Sequence, residues 1–398
     1  MNLPPELTDI LRNIARDGTV NCYIYQPRIM AERFARVVAA VPPSVELFYA
    51  MKANPHPAFL RTAREAGAAG IEIASLGEAR RACAAGFRPD ALIYTGPGKR
   101  PEELAWCVEA GVRTVHVESL VEAHRLQQAC VHADRSQEIL LRVNANFDIH
   151  DAQTTFSGGS RKFGVDEELL PRVIPQLLGL DRLRLRGLHV YAASGVLRVE
   201  DLLENCRLVF SMVAELRRRF PRLTLDLIDF GGGFGVDYLD QGRSFDVEAY
   251  GRGLAELIAR FGLTGCRFVL ELGRYLAAES GWFCTEILDI KQSRGKKQVI
   301  CAGGINHFRR PAALGINHPV AIVRMERPPL FPGQESVRRE SVYFGGPLCT
   351  GADKLADDLY VEAADVGDIA VFGLAGAYGL TMSNIEFLSH DRPREIVL

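Results

Sequence analysis

No apolar run in this 398-residue sequence approaches the ~20 residues that a bilayer-crossing helix needs. The opening stretch, MNLPPELTDILRNIARDG, carries acidic side chains early and lacks the continuous apolar segment of a secretory leader. Nine cysteines are scattered without a Cys-x-x-Cys pair or a short metal-ligand spacing, which argues against a disulfide scaffold and a zinc site. Charge of one sign is also lacking: the net charge of −2 does not suit a nucleic-acid or anionic-membrane surface. Low-complexity stretches are few, and no Gly/Ser-rich linker separates one part of the chain from another. These absences lead to the expectation of a soluble cytoplasmic protein with reduced thiols, no bound metal and a small-molecule partner. What is present is a chain of two-domain length, 47% hydrophobic, able to bury a sizeable core.

Short apolar, β-branched runs recur at 47–53, 70–75, 91–96, 114–119, 139–144, 185–192, 223–232 and 267–273. Segments with helical spacing lie between them, such as PAFLRTAREAG and SLGEARRACAAG. Strands alternating with helices predict parallel βα units, and eight of them fit an α/β fold of the closed (β/α)8 type. An open doubly wound sheet is the alternative, at the cost of an exposed edge. After residue 275 the pattern changes to strands joined by Gly, Pro and charged turns. The expected division is a barrel over 27–275 and a C-terminal, mostly-β domain over 276–398, completed by residues 1–26 with the segment CYIYQ.

Enzymes built on such barrels carry their chemistry at the C-terminal strand ends. Lys52 closes the first run, where desolvation can turn a lysine into an amine nucleophile. The seventh run leads into Asp229-Phe230-Gly231-Gly232-Gly233-Phe234-Gly235, whose glycines let backbone N–H groups wrap a phosphate. The eighth ends in Glu271-Leu272-Gly273-Arg274, a carboxylate suited to a protonated pyridine nitrogen and a guanidinium suited to phosphate. The sixth run places His189 at the mouth, with Ser194 just beyond it, and Arg142 lies on the fifth. Taken singly, each has an ordinary structural reading: a surface lysine, a turn, an exposed ion pair, a core histidine. Their convergence on one rim is what points to chemistry.

The motifs YAMKAN, HVYAASG, DFGGGFG, ELGR, GGPLCTGAD and GAYGLTMS, in this order, resemble the decarboxylases of the diaminopimelate, ornithine and arginine group. The resemblance implies an alanine-racemase-like barrel and the cofactor pyridoxal 5'-phosphate. It implies that Lys52 carries the cofactor, that His189 stacks on its ring, and that Glu271 pairs with the ring nitrogen. Gly231, Gly232, Gly233, Gly235, Arg274 and Tyr378 are then its phosphate ligands. Cys349 matches the cysteine that crosses the interface of a homodimer with shared active sites and returns a proton to the substrate carbon. A buried, inert thiol is the commoner fate of a cysteine. A catalytically silent protein that only binds a partner, and racemisation on the same barrel, remain as other readings.

Departures from the pattern carry the substrate information. Diaminopimelate and ornithine decarboxylases follow the cysteine with an acid that receives the distal amine; here that residue is Thr350. A distal ammonium without its partner would cost about 2–5 kcal/mol. HVYAASG is longer than the usual turn, which leaves the equivalence of Ser194 open, and ELGR stands for EPGR. GGINHFRRP presents His307, Arg309 and Arg310, either a solvated basic loop or a pocket for carboxylates. With the ending NIEFLSHDRP, these motifs resemble the branch that acts on amino-acid conjugates. A citryl–amino-acid intermediate of carboxylate siderophore synthesis is the favoured substrate. Diaminopimelate decarboxylation and decarboxylation of a carrier-linked aminoacyl group are the enzymatic alternatives.

Overall fold

Eight of the apolar runs form parallel strands: Val45–Ala50, Gly70–Ile73, Leu92–Tyr94, Thr114–Val117, Gln137–Asn144, Leu183–His189, Leu227–Asp229 and Arg267–Leu272. Each pairs with two neighbours. The fourth and fifth meet at Val115↔Ile139, and the eighth returns to the first at Leu270↔Leu47, so the sheet closes into a barrel without a free edge. The computed structural model describes residues 1, 3–146, 154, 155, 159–239 and 241–398.

The helices between strands follow from local sequence. Ser75 and Ser119 accept the N–H of Glu78 and Glu122, capping the helices Leu76–Ala84 and Leu120–His132. Inside the barrel, Phe48, Ile93, Leu140 and Leu227 come from the first, third, fifth and seventh strands. They pack with Val269 into one buried cluster. This apolar plug fills the barrel interior, as alternate-strand layers do in closed barrels of this size.

The chain divides into two compact units, Ala31–Val236 with Ser244–Leu276, and Met1–Met30 with Asp237–Arg243 and Ala277–Leu398. The short segment 237–243, which the sequence pattern put with the barrel, therefore groups with the β-rich unit. In that unit the long strand Gly281–Ser293 pairs antiparallel with Asn21–Tyr25, Lys296–Cys301 and Ile369–Phe372. The helix Pro5–Asp17 buries Leu7, Leu11 and Ile14, one face at i, i+4, i+7, in a cluster with Cys22, Ile24, Trp282 and Val371. No helix among the described residues is long and apolar enough to cross a membrane.

Candidate active site

The first strand stops at Ala50, and Lys52 sits on the single turn Met51–Ala53 that follows, not on the strand itself. Its Nζ lies 2.7 and 2.8 Å from the two carboxylate oxygens of Glu72, a wholly buried side chain on the second strand. The Thr95 hydroxyl also donates to Glu72. The lysine is thus held by a fixed anion while its amine stays partly open to solvent.

Around the same mouth the later strands each contribute one polar side chain. His116 on the fourth and His189 on the sixth pack with ring centroids 4.7 Å apart and planes tilted by 53°. Asp229 ends the seventh strand, and Glu271 is the penultimate residue of the eighth. The donor atoms of these four residues all lie within 4.8 Å of one another. Arg142 on the fifth strand is buried, donates to Glu118 at 2.8 Å and lies 4.5 Å from the Phe163 ring centroid.

Burial dominates the electrostatics. Desolvation pushes both imidazoles well below the ordinary histidine range, with the cations of Lys52, Lys99 and Arg142 acting in the same direction. It pushes the carboxyls of Asp229 and Glu271 up; the neighbouring Asp229 raises Glu271 further, whereas hydrogen bonding with Glu271 acts to lower Asp229. Asp229 has a fixed donor, the Gly231 N–H at 2.7 Å. Asp229 is therefore the better anion, and Glu271 the carboxyl that keeps a proton.

The glycine run lies against the segment that holds Ser194. Val196 N–H donates to Gly233 O at 2.9 Å, and Gly235 N–H returns to Val196 O at 2.7 Å. Gly231 and Gly233 have φ of +62° and +111°, and a Cβ on Gly232 would stand 2.3 Å from the Glu271 carbonyl oxygen. Only glycine permits this path. Arg274 Nη2 donates to Ser194 Oγ at 3.2 Å, so guanidinium, hydroxyl and glycine run share one side of the mouth.

These features fit pyridoxal phosphate. Glu271 Oε1 and both ring nitrogens of His189 are buried without a hydrogen-bond partner. The Glu271 carboxyl suits a ring nitrogen, and the His189 ring offers a flat face on which an aromatic ring can stack. Lys52, Glu271, His189, Arg142, Ser194, Arg274 and the glycines Gly231, Gly232, Gly233 and Gly235 are all in the barrel unit.

The remaining residues singled out in the sequence belong to the β-rich unit. Tyr378 holds a left-handed backbone at φ +55°, uncommon for a side chain of that size. Cys349 is exposed, whereas seven of the other cysteines are buried and Cys83 is half-buried. His307, Arg309 and Arg310 do not form one basic patch. His307 is 1% exposed, with the Asn21 and Asn306 amides 3.0 and 3.2 Å from its ring nitrogens. Burial pushes it down to about 4, so it is neutral at physiological pH and offers no charge to a carboxylate. Arg310 is sealed in, 3.8 Å over the Tyr238 ring and 3.0 Å from His318 Nε2. Arg309 alone of the three is exposed. With Asn317, Lys354 and the backbone of Gly351 and Ala352, it lines an open cleft of about 350 Å³.

Glu72, His116, Glu118 and Asp229 were given no role by sequence reasoning. Their signal was there: each is a polar residue set into an apolar run at a strand end, as Glu271 is.

Residues 28–278 match the family described as pyridoxal-dependent decarboxylase, pyridoxal binding domain. A 2-[(L-alanin-3-ylcarbamoyl)methyl]-2-hydroxybutanedioate decarboxylase of Staphylococcus aureus is 34% identical over 387 residues, 96% of this chain and 95% of that protein. An L-glutamyl-[BtrI acyl-carrier protein] decarboxylase of Niallia circulans is 29% identical over 386 residues, 94% of this chain and 88% of that protein. The fold also matches crystalline diaminopimelate decarboxylase of Helicobacter pylori, with a TM-score of 0.87 at 23% identity, covering 98% of this chain and 94% of that one. The chain belongs to the pyridoxal-dependent decarboxylases and is a pyridoxal-phosphate-dependent amino-acid carboxy-lyase.

Proposed function

We propose that this enzyme decarboxylates the amino-acid end of a conjugate whose far end is anionic, with a citrate amide of L-2,3-diaminopropionate as the favoured substrate. The observation that carries this reading is Thr350, a neutral side chain where the decarboxylases of diamino acids place an acid. The Staphylococcus aureus relative supports it, because its name describes a citrate skeleton amide-linked to the C3 of L-alanine. In the cleft beside the Cys349–Thr350 turn, Lys354 is paired with Asp357 at 2.9 Å, and the Arg309 guanidinium offers positive charge to such an arm.

Bound at the barrel mouth, pyridoxal phosphate supplies an electron sink for the pair released when the substrate's Cα–carboxylate bond breaks. The chain's own residues do the rest. Lys52 presents its amine, held by Glu72; Glu271 holds a proton for the ring nitrogen; His189 gives a flat, neutral face. Arg274, Ser194 and the glycine run bind phosphate oxygens. Cys349 Sγ returns one proton to Cα after carbon dioxide has left, so the product keeps its amine and its anionic arm. Exposure of Cys349 on the turn between the strands Val337–Gly345 and Lys354–Ala364 suits delivery of that thiol to a second copy of the chain. On this reading the enzyme is a homodimer with shared sites, working in the cytoplasm. Mass spectrometry of the product tests the reaction: loss of one carbon dioxide from the alanyl end, with the citrate arm intact, is expected. Loss from the citrate arm, or no reaction, contradicts it.

A further inference from the structure

His116 has no part in the reading above, yet it stands at the centre of the barrel mouth. It is wholly buried, with Nε2 3.8 Å from Asp229 Oδ2 and Nδ1 4.0 Å from Glu271 Oε1. Among the described residues its side chain makes one long hydrogen bond, 3.4 Å from Nε2 to Thr114 Oγ1. His116 Nδ1, Asp229 Oδ2 and Glu271 Oε1 are all buried without a hydrogen-bond partner. Nδ1 thus faces the unpartnered oxygen of Glu271 and Nε2 the unpartnered oxygen of Asp229, across gaps of 4.0 and 3.8 Å that exceed a hydrogen bond. Such gaps in cofactor-free sites commonly tighten on loading.

A neutral imidazole donates from one nitrogen and accepts at the other. It can therefore serve an ionised carboxylate on one side and a protonated carboxyl on the other. Asp229 already accepts the Gly231 N–H, which marks it as the ionised member. We propose that His116 is a positioning residue that bridges Asp229 and Glu271, donating from Nε2 and accepting at Nδ1. It thereby fixes one shared proton on Glu271, the carboxyl that serves the cofactor's ring nitrogen. The inference rests on that role of Glu271.

Every charged group around the mouth bears on this arrangement. Lys52, Lys99 and Arg142 oppose protonation of the ring, and burial acts the same way and more strongly. Glu72 is bound to Lys52, Glu118 to Arg142 and Glu122 to Lys99, which leaves Asp229, Glu271 and the neutral His189 as the groups in question. The proton count is simple. A neutral pyridine nitrogen entering the site takes the Glu271 proton and leaves a carboxylate, with no exchange with water. Once the pair has lost that proton, binding must draw one from solvent, and affinity falls about tenfold per pH unit. The singly protonated pair uses both hydrogen bonds of the bridge, whereas the doubly ionised pair can use only one. Removing His116 therefore lowers the pH at which the proton is lost, by about one unit for one hydrogen bond of ordinary strength.

The test uses cofactor-free protein and pyridoxamine phosphate, which keeps the ring nitrogen and phosphate but lacks the aldehyde that engages Lys52. Its dissociation constant is measured against pH for wild type, His116→Asn and His116→Phe. The alkaline break is expected about one unit lower in both variants, with the neutral-side affinity changed less. A purely structural role would weaken binding equally at all pH values, and an unmoved break overturns the proposal. Should neither variant fold, 15N spectra of the wild-type imidazoles decide. A neutral His116 protonated on Nε2 is expected, and a charged ring or an Nδ1–H form contradicts it.

Discussion

Lys52 Nζ is held between both oxygens of Glu72, at 2.7 and 2.8 Å, and Glu72 is itself fully buried. The pair joins the turn after the first strand to the C-terminal end of the second, so the reactive amine is placed by the barrel and not by its own flexible stem. Glu72→Gln removes the charge and keeps the shape. Charge-assisted hydrogen bonds are worth about 1.5–3 kcal/mol, and the partly exposed lysine argues for the lower end. The expected result is a roughly tenfold slower loading of pyridoxal phosphate onto cofactor-free enzyme, followed by absorbance. An unchanged loading rate would show that the pair does not position the amine.

Lys52 should carry the cofactor covalently. Borohydride reduction of the loaded enzyme, then peptide mass spectrometry, should place the pyridoxyl group on Lys52. A label on Lys99 would be a surprise for a physical reason. That lysine is 3% exposed and fully engaged by Gly96 O, His116 O and Glu122.

The shared-site proposal makes a quantitative forecast. Lys52→Ala and Cys349→Ala proteins should each be nearly inactive. Mixed under conditions of subunit exchange, they should recover roughly a quarter of wild-type activity, because statistical heterodimers rebuild one of two sites. No recovery, with exchange verified, would place both residues in one chain's site.

His307 gives a pH dependence of stability. Its folded value is pushed down to about 4 by burial, against an unfolded value near 6.5. The unfolded chain therefore binds the extra proton, and this contribution is fully present above about pH 6.5 and is lost as pH falls towards 4. Between pH 7 and 5 the loss should be about 2 kcal/mol. Chemical denaturation at both pH values should show a smaller drop for His307→Gln than for wild type. Equal drops would mean that His307 is not titrating across folding.

Much of this was legible in the sequence, for identifiable reasons. The strands were found because buried parallel strands are nearly continuous apolar runs bounded by turns. Lys52, His189, Glu271 and the glycine run were singled out because motifs in known order mark them. Glu72 and His116 obey the same local pattern, in GIEI and TVHV, but their meaning depends on partners brought close only by barrel closure. The reverse error occurred in GGINHFRRP. Three basic residues in a row of four positions read as one patch, whereas the fold buries His307 and Arg310 and leaves Arg309 outside. Segment 237–243 groups with the β-rich unit, where Tyr238 lies under Arg310, a contact with no local trace in the sequence.

The central claim is the identity of the substrate, and the steady-state kcat/KM for carbon dioxide release tests it most directly. The purified, cofactor-loaded enzyme is compared on the citrate amide of L-2,3-diaminopropionate and on free diaminopimelate, with Arg309→Ala and Thr350→Asp run in parallel. The account predicts that the citrate amide is preferred by at least about thirtyfold, since an unpaired distal ammonium costs 2 kcal/mol or more. It also predicts that Arg309→Ala erodes that preference. Diaminopimelate turned over as fast as the citrate amide, or faster, would contradict it.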